Sequence, residues 1–174
     1  MRDYRFRESI PHLTSILFRR IARVHGRAVK RFEISSVQAN ILATLFLKGS
    51  MTVGDLQVRL ALGSSTITGA LDRMEKQGLV RREPSPEDKR SVVVSPPAWP
   101  TRKREALLDT LETTGNECFA RLSAAERRQL AQLLGKAIGS IAALDEGGDD
   151  DDDDEPRAPG SRAARLAARL KESG

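Results

Sequence analysis

Between Ser64 and Arg90, hydroxyl and cationic side chains alternate with apolar ones in a pattern that suits binding to a polyanion. Ser64, Ser65, Thr66 and Thr68 open a segment whose apolar positions are Ile67, Ala70, Leu71 and Met74. On a helix those apolar residues share one face, so Ser65, Thr66, Thr68, Gly69, Asp72, Arg73 and Lys76 must lie on the other. Hydroxyls beside the free amides of a helix N-terminus suit phosphates and base edges. Ser65, Thr66 and Thr68 are therefore the candidate base readers, and Ser64 is placed to cap the helix. Arg73 and Lys76, further along, suit phosphate contacts or salt bridges. Gly69 costs a helix about 1 kcal/mol relative to alanine, which fits either close backbone approach to a ligand or plain tolerance at that position.

A second cationic group follows. Arg81, Arg82, Lys89 and Arg90 flank a polar, proline-rich loop that could straddle a phosphate backbone and set an arginine in a narrow minor groove. Arg90 is the candidate for that insertion. Asp88 would oppose a polyanion if it pointed outward, so it is expected to orient Arg90 through a charge-assisted pair. At least one of Arg81 and Arg82 is expected only to solvate a strand edge.

Other chemistries find little support. There is no serine, histidine and carboxylate arrangement, no phosphate-binding glycine loop and no metal-ligand cluster, so neither an enzyme nor a cofactor is expected. One cysteine excludes an intramolecular disulfide framework, and His12 and His25 are too far apart in sequence to share a short metal-binding face. Cys118 falls on an apolar seam with Leu111 and Leu122, where a buried structural thiol is expected rather than a redox sensor.

The elements that must position these residues follow from periodicity. Phe6, Ile10, Leu13, Leu17, Ile21, Val24, Ala28 and Phe32 draw one stripe down a long first helix, its regular part starting near Pro11. Ser35 and Gln38 form a capping box for a second helix that stops before Gly49. Thr52, with Asp55 in the first turn, opens a short third helix, and Ala61 to Gly63 break it ahead of the segment at Ser64. Short helix, break and second helix match a helix-turn-helix. Gly78 ends the second of these, and Leu79 to Glu83 and Ser91 to Ser95 read as a two-stranded ribbon around the cationic loop. Beyond Pro96, Pro97 and Pro100 a long helix carries Leu107, Leu111, Thr114, Cys118 and Leu122, and a second capping box, Ser123 and Glu126, opens a last helix with Leu130, Leu133, Leu134, Ala137, Ile138, Ile141 and Leu144.

Charge agrees with a polyanion partner but cannot choose among DNA, RNA and an anionic membrane surface. The 174 residues carry a net charge of +5. Residues 1–144 hold 24 basic and 14 acidic side chains, whereas Asp145 to Glu155 contain nine carboxylates in eleven residues. That run repels itself and is expected to be disordered. Residues 161–171 would place Ala163, Leu166, Ala167 and Leu170 on one face if helical. The tail is either a solubilising appendage or an autoinhibitory competitor with DNA for the basic face. No run approaches the roughly 18 apolar residues of a membrane span, and no signal-type stretch follows Met1, so a soluble, cytoplasmic protein is expected.

The stretch from Leu45 to Val94 resembles the MarR family of winged helix-turn-helix transcriptional regulators. The resemblance is carried by Leu71, Asp72, Arg73, Met74, Glu75, Lys76, Gln77, Gly78, Leu79 and Val80, then by Asp88, Lys89 and Arg90, and the flanking helices extend it over about residues 6–144. It implies a mainly helical fold with a small β-wing and long dimerisation helices at both ends. The implied organisation is an N-terminal dimerisation helix at 1–34, a DNA-binding lobe at 35–95, C-terminal dimerisation helices at 96–144 and a tail at 145–174. It further implies a homodimer on double-stranded DNA, probing a pseudo-palindromic operator with recognition helices about 34 Å apart, working as a repressor and responding to a small aromatic or amphipathic effector. Two departures stand out. Pro96, Pro97 and Pro100, with Trp99 between, replace the family's usual leucine, threonine and glycine, which should reshape the wing-to-helix junction, and Gly69 stands where many members have a basic residue. Those departures keep two rivals open: a winged-helix protein-interaction module, and a nucleoid-type binder without sequence preference.

Overall fold

The computed structural model describes residues 9–145, with side chains described as far as residue 141. Helix α1 (Ile10–Ala28) starts directly after Ser9, with Pro11 in the first turn, where its missing amide removes no helical hydrogen bond. Phe6, placed on the same stripe by periodicity, lies outside the described residues. A 3-10 turn, Val29–Phe32, follows and ends at Glu33 in the left-handed region with φ 59°. Helix α2 (Ser36–Lys48) carries the expected capping box: Ser35 Oγ accepts from the Gln38 amide at 3.2 Å while Gln38 Oε1 accepts from the Ser35 amide at 2.8 Å. Its Ile41, Leu42 and Leu45 are fully buried.

Thr52 caps helix α3 (Val53–Leu60) by accepting the Asp55 amide at 3.0 Å. Met51 and Thr52 also form strand β1, which periodicity could not reveal because two residues have no repeat. The expected two-stranded ribbon is therefore a three-stranded antiparallel sheet in the order β1-β3-β2, with β2 at Arg81–Pro84 and β3 at Val92–Ser95. Arg82 stands opposite Val94, and Thr52 opposite Val93. Strand β2 begins later than the expected Leu79, because Leu79 is used to end the preceding helix.

That helix, α4 (Ser64–Lys76), corrects one expectation. Gly63, extended at φ −61° and ψ 151°, occupies the cap position, and Ser64 is the first helical residue rather than the cap. The far end closes as a Schellman motif: Leu79 donates its amide to the Met74 carbonyl at 2.8 Å and Gly78, at φ 67°, donates to Glu75 at 2.9 Å. Ile67, Ala70, Leu71 and Met74 face inward as expected and join Leu42, Leu56 and Val94 in one core.

Helix α5 (Thr101–Cys118) starts after Pro100 and packs along α1 and α2. Leu107 and Thr114 are buried, and Cys118, a free thiol at the last helical position, is half-buried. The helix stops there, closed by amides of Phe119 and Ala120 donating to Asn116 and Glu117. Leu122 is consequently not on the α5 seam, contrary to expectation. It belongs to a second compact unit that begins at Arg121. In that unit Ser123 and Glu126 form the expected capping box, with 2.8 and 3.3 Å bonds to each other's amides, ahead of helix α6 (Ala124–Asp145). The remaining acidic run and residues 161–171 lie outside the described residues. No helix among the described residues is long and apolar enough to cross a membrane.

Candidate nucleic-acid interface

The core side chains of α4 dictate its exposed face. With Ile67, Ala70, Leu71 and Met74 buried, Ser64, Ser65, Thr66, Thr68, Arg73 and Lys76 are all exposed and Gly69 is partly so. Because Gly63 has no side chain to cap the helix, the first-turn amides beside Ser64, Ser65 and Thr66 receive no side-chain bond. The positive end of the helix dipole, unsatisfied amide donors and three hydroxyls thus coincide. A Cβ at Gly69 would meet nothing closer than the Arg73 guanidinium at 3.5 Å, so nothing within the chain requires glycine there.

The wing is tied to this helix by a residue whose role the sequence did not disclose. Arg82 in β2 donates from Nε and Nη2 to Glu75 at 2.9 and 2.5 Å, and from Nη2 to Asp72 at 2.7 Å. One guanidinium therefore bridges two turns of α4. The hydrogen bond from Arg82 holds the Glu75 carboxyl below its usual range, and Glu75 in turn raises Arg82. The staple therefore persists at neutral pH and loosens only when acidification protonates Glu75. Arg82 is turned onto the helix rather than outward, whereas Arg81 is exposed and pairs with Glu83 at 3.3 Å.

Asp88 shapes the wing tip differently from expectation. Its Oδ1 accepts from the backbone amide of Arg90 at 2.9 Å and its Oδ2 from the Ser91 hydroxyl at 2.9 Å, so it orients Arg90 through the main chain and not by pairing with the guanidinium. An aspartate two residues before an amide favours this local turn over an exposed ion pair. Ser85, buried at the base of the tip, accepts from the Glu87 and Asp88 amides at 3.3 and 3.4 Å. Lys89 and Arg90 are left exposed, and among the described residues no carboxylate pairs with them, with Arg73 or with Lys76.

Two further contacts position the interface. Gln38, already capping α2, donates from Nε2 to Gln77 Oε1 at 2.8 Å and so ties the start of α2 to the end of α4. At the proline-rich junction Trp99 packs on Phe46 with ring centroids 5.6 Å apart, and the Lys103 ammonium lies 3.9 Å from the Trp99 ring centroid. The altered junction thus becomes an aromatic plug between the wing and α5. His25 packs towards Gly115, its buried Nε2 lacks a partner, and burial lowers its pKa. Among the described residues no group of three or more His, Cys, Asp or Glu side chains could hold a metal.

Comparison with known proteins places this geometry. The model of the MarR family matches residues 34–92. Over 124 residues the chain is 30% identical to the HTH-type transcriptional regulator YkoM of Bacillus subtilis, covering 69% of this chain and 78% of that protein. It is 32% identical over 110 residues to the homoprotocatechuate degradative operon repressor of Escherichia coli, covering 61% and 72%. A crystal structure of mutant MarR from Escherichia coli complexed with operator DNA is similar with a TM-score of 0.63 at 25% identity, over 76% of this chain and 97% of that one. With three other Bacillus subtilis regulators the chain spans only 40, 31 and 56% of their lengths.

Proposed function

Because the chain belongs to the MarR family of transcriptional regulators, we propose that it binds operator DNA as a homodimer and represses transcription, with residues 35–95 as the DNA-binding lobe. The observation that carries this reading is the exposed face of α4, where uncapped amides, Ser64, Ser65, Thr66 and Thr68 lie on the same element as Arg73 and Lys76, which no carboxylate among the described residues neutralises. In this reading Ser65, Thr66 and Thr68 read base edges, with Gly69 allowing close approach. Arg73, Lys76 and Lys89 meet phosphates and Arg90 enters the minor groove, while Arg81, paired with Glu83, stays at the strand edge. Arg82 holds the wing at a fixed attitude to the recognition helix, and Asp88 fixes the backbone that presents Arg90.

The homodimer is supported by apolar side chains that the single chain leaves in water. Ile10, Leu13 and Phe18 on α1 are 75, 51 and 71% exposed, and Leu133, Ile138 and Ile141 on α6 are each more than half exposed. Surface of that kind on both long helices is what a subunit interface would cover. Repression is supported by the repressor among the relatives. An aromatic or amphipathic effector would act by binding one spacing of the two recognition helices better than another.

Competition binding tests the whole reading. The protein should hold a fragment of its own upstream intergenic DNA at about 150 mM salt against an equal length of scrambled sequence, a condition where purely electrostatic binding is weak. Equal displacement by the scrambled fragment would replace this reading with a non-specific binder. Absence of binding would replace it with a protein-interaction module.

A further inference from the structure

We propose that Arg73 reads a base as well as meeting the backbone, that the base is guanine, and that the missing side chain of Gly69 makes the space in which its guanidinium lies. This rests on the DNA-binding reading above and names the base that one residue of α4 selects.

In an α-helix each Cα–Cβ bond leans toward the N-terminus, so a long side chain covers the turn before its own. Arg73 covers Gly69: its Nη1 lies 3.5 Å from the point where a Cβ of residue 69 would stand. Four residues at about 1.5 Å rise carry the guanidinium about 6 Å back along the helix axis. It thereby leaves the level of Lys76 for the stretch that holds the exposed hydroxyls. Ser65 and Thr66 stand one turn before Gly69 on its own face, and both are exposed. A side chain at position 69 larger than a methyl would compete for the same space.

Nothing within the helix draws the guanidinium elsewhere. The neighbours of Arg73 at three and four residues are Gly69, Ala70, Lys76 and Gln77, none of them acidic. The two carboxylates that α4 does carry, Asp72 and Glu75, are held by Arg82 from β2 at 2.7 and 2.5 Å. Among the described residues no carboxylate pairs with Arg73. The wing staple therefore has a second effect, because it keeps the nearest anions off the arginine that faces the groove.

Guanine follows from the chemistry of the group. A guanidinium only donates, through N–H bonds fixed in a planar fork. In the major groove guanine alone offers two acceptors side by side, O6 and N7, whereas adenine pairs an acceptor with a donor, cytosine offers a donor and thymine a lone acceptor. Such a contact uses part of the fork, so the charge also stays beside the phosphates.

The test selects duplexes from a library with a randomised core of about 20 base pairs, two turns of B-DNA, at about 150 mM salt, where purely electrostatic binding is weak. The full chain should enrich guanine at one position of each half-site, and duplexes with another base there should bind about 10- to 100-fold more weakly. Arg73→Ala should level the four bases at that position and keep the preferences elsewhere in the site. Arg73→Lys, which keeps the charge but not the fork, should retain most of the affinity and lose most of the discrimination. Gly69→Leu, a better helix former with a bulkier side chain, should weaken the guanine preference with Arg73 still present. Thermal denaturation checks that each variant is folded. A uniform loss of affinity in Arg73→Ala with an unchanged motif would mark a phosphate contact alone and overturn the proposal while the DNA-binding reading stands. An undiminished guanine preference in Gly69→Leu would overturn the part given to the vacant position. Failure of the unaltered chain to enrich any sequence would overturn both the proposal and the operator-reading function on which it rests.

Discussion

Replacing Arg90 with alanine probes the interface through a quantity the structure lets one count. Each chain presents four exposed cations without carboxylate partners among the described residues on α4 and the wing tip: Arg73, Lys76, Lys89 and Arg90. In the proposed dimer, two protomers on one operator would bring about eight. Each phosphate neutralised contributes roughly −0.9 to the slope of log affinity against log salt, so the dimer slope is about −7. Between about 50 and 200 mM salt that slope is a loss of about four decades in affinity. Arg90→Ala removes two of the eight charges and should reduce the slope to about −5.4. Arg90→Lys keeps the charge and should keep the slope, but loses the fork-shaped guanidinium suited to a narrow minor groove, so preference for A·T-rich flanks should fall. Fluorescence anisotropy with a labelled operator fragment over that salt range measures both. A slope for Arg90→Ala equal to that of the unaltered chain would refute the placement of Arg90 on DNA.

Three other outcomes test the scaffold. Leu71→Ala, at a fully buried position on the inward face of α4, should cost about 2 to 5 kcal/mol in urea denaturation and lower thermal stability. Ala61→Gly should raise stability by up to about 1 kcal/mol, because Ala61 ends α3 in the left-handed region at φ 48°, where glycine meets no Cβ penalty. For His25, burial depresses the folded pKa below the ordinary 6.5. The unfolded chain then binds the proton first, so stability should be full above about pH 6.5 and decline on acidification through the folded value; His25→Gln should flatten that limb of a denaturation-against-pH profile.

How much of this was legible beforehand depends on the range over which each signal acts. The capping boxes at Ser35 and Ser123, the Thr52 cap and the split of α4 into buried and exposed faces are local, and their residues lie within a few positions of one another, so they could be read directly. The sequence pattern sets the cap of α4 one position late, at Ser64, because a glycine that caps without a side chain leaves no polar residue to mark it. The end of α5 at Cys118 leaves no mark in the pattern, since apolar spacing continues through Leu122 although the helix does not. Strand β1 has no sequence pattern of its own and exists because β3 offers it an edge. Least legible were the Arg82 staple to Asp72 and Glu75 and the Gln38 to Gln77 bond, which join residues brought together only by the packing of α2, α4 and the sheet. The face that could meet DNA could thus be listed from sequence; the bonds that hold its two parts at a fixed angle could not.

The hydrogen bonds inside the wing tip bear on the thermodynamics of recognition. Ser85 and Asp88 satisfy four local donors across residues 87 to 91, so the loop between β2 and β3 is already folded around its own side chains. Fixing one residue's backbone costs roughly 1 to 2 kcal/mol of conformational entropy. A wing without these bonds would have to meet that cost on reaching DNA, whereas this one meets it during folding. Side-chain freedom of Lys89 and Arg90 is then the main entropy left to lose there, and loosening the tip with Ser85→Ala should make binding entropically less favourable by calorimetry even though no residue facing the DNA has changed.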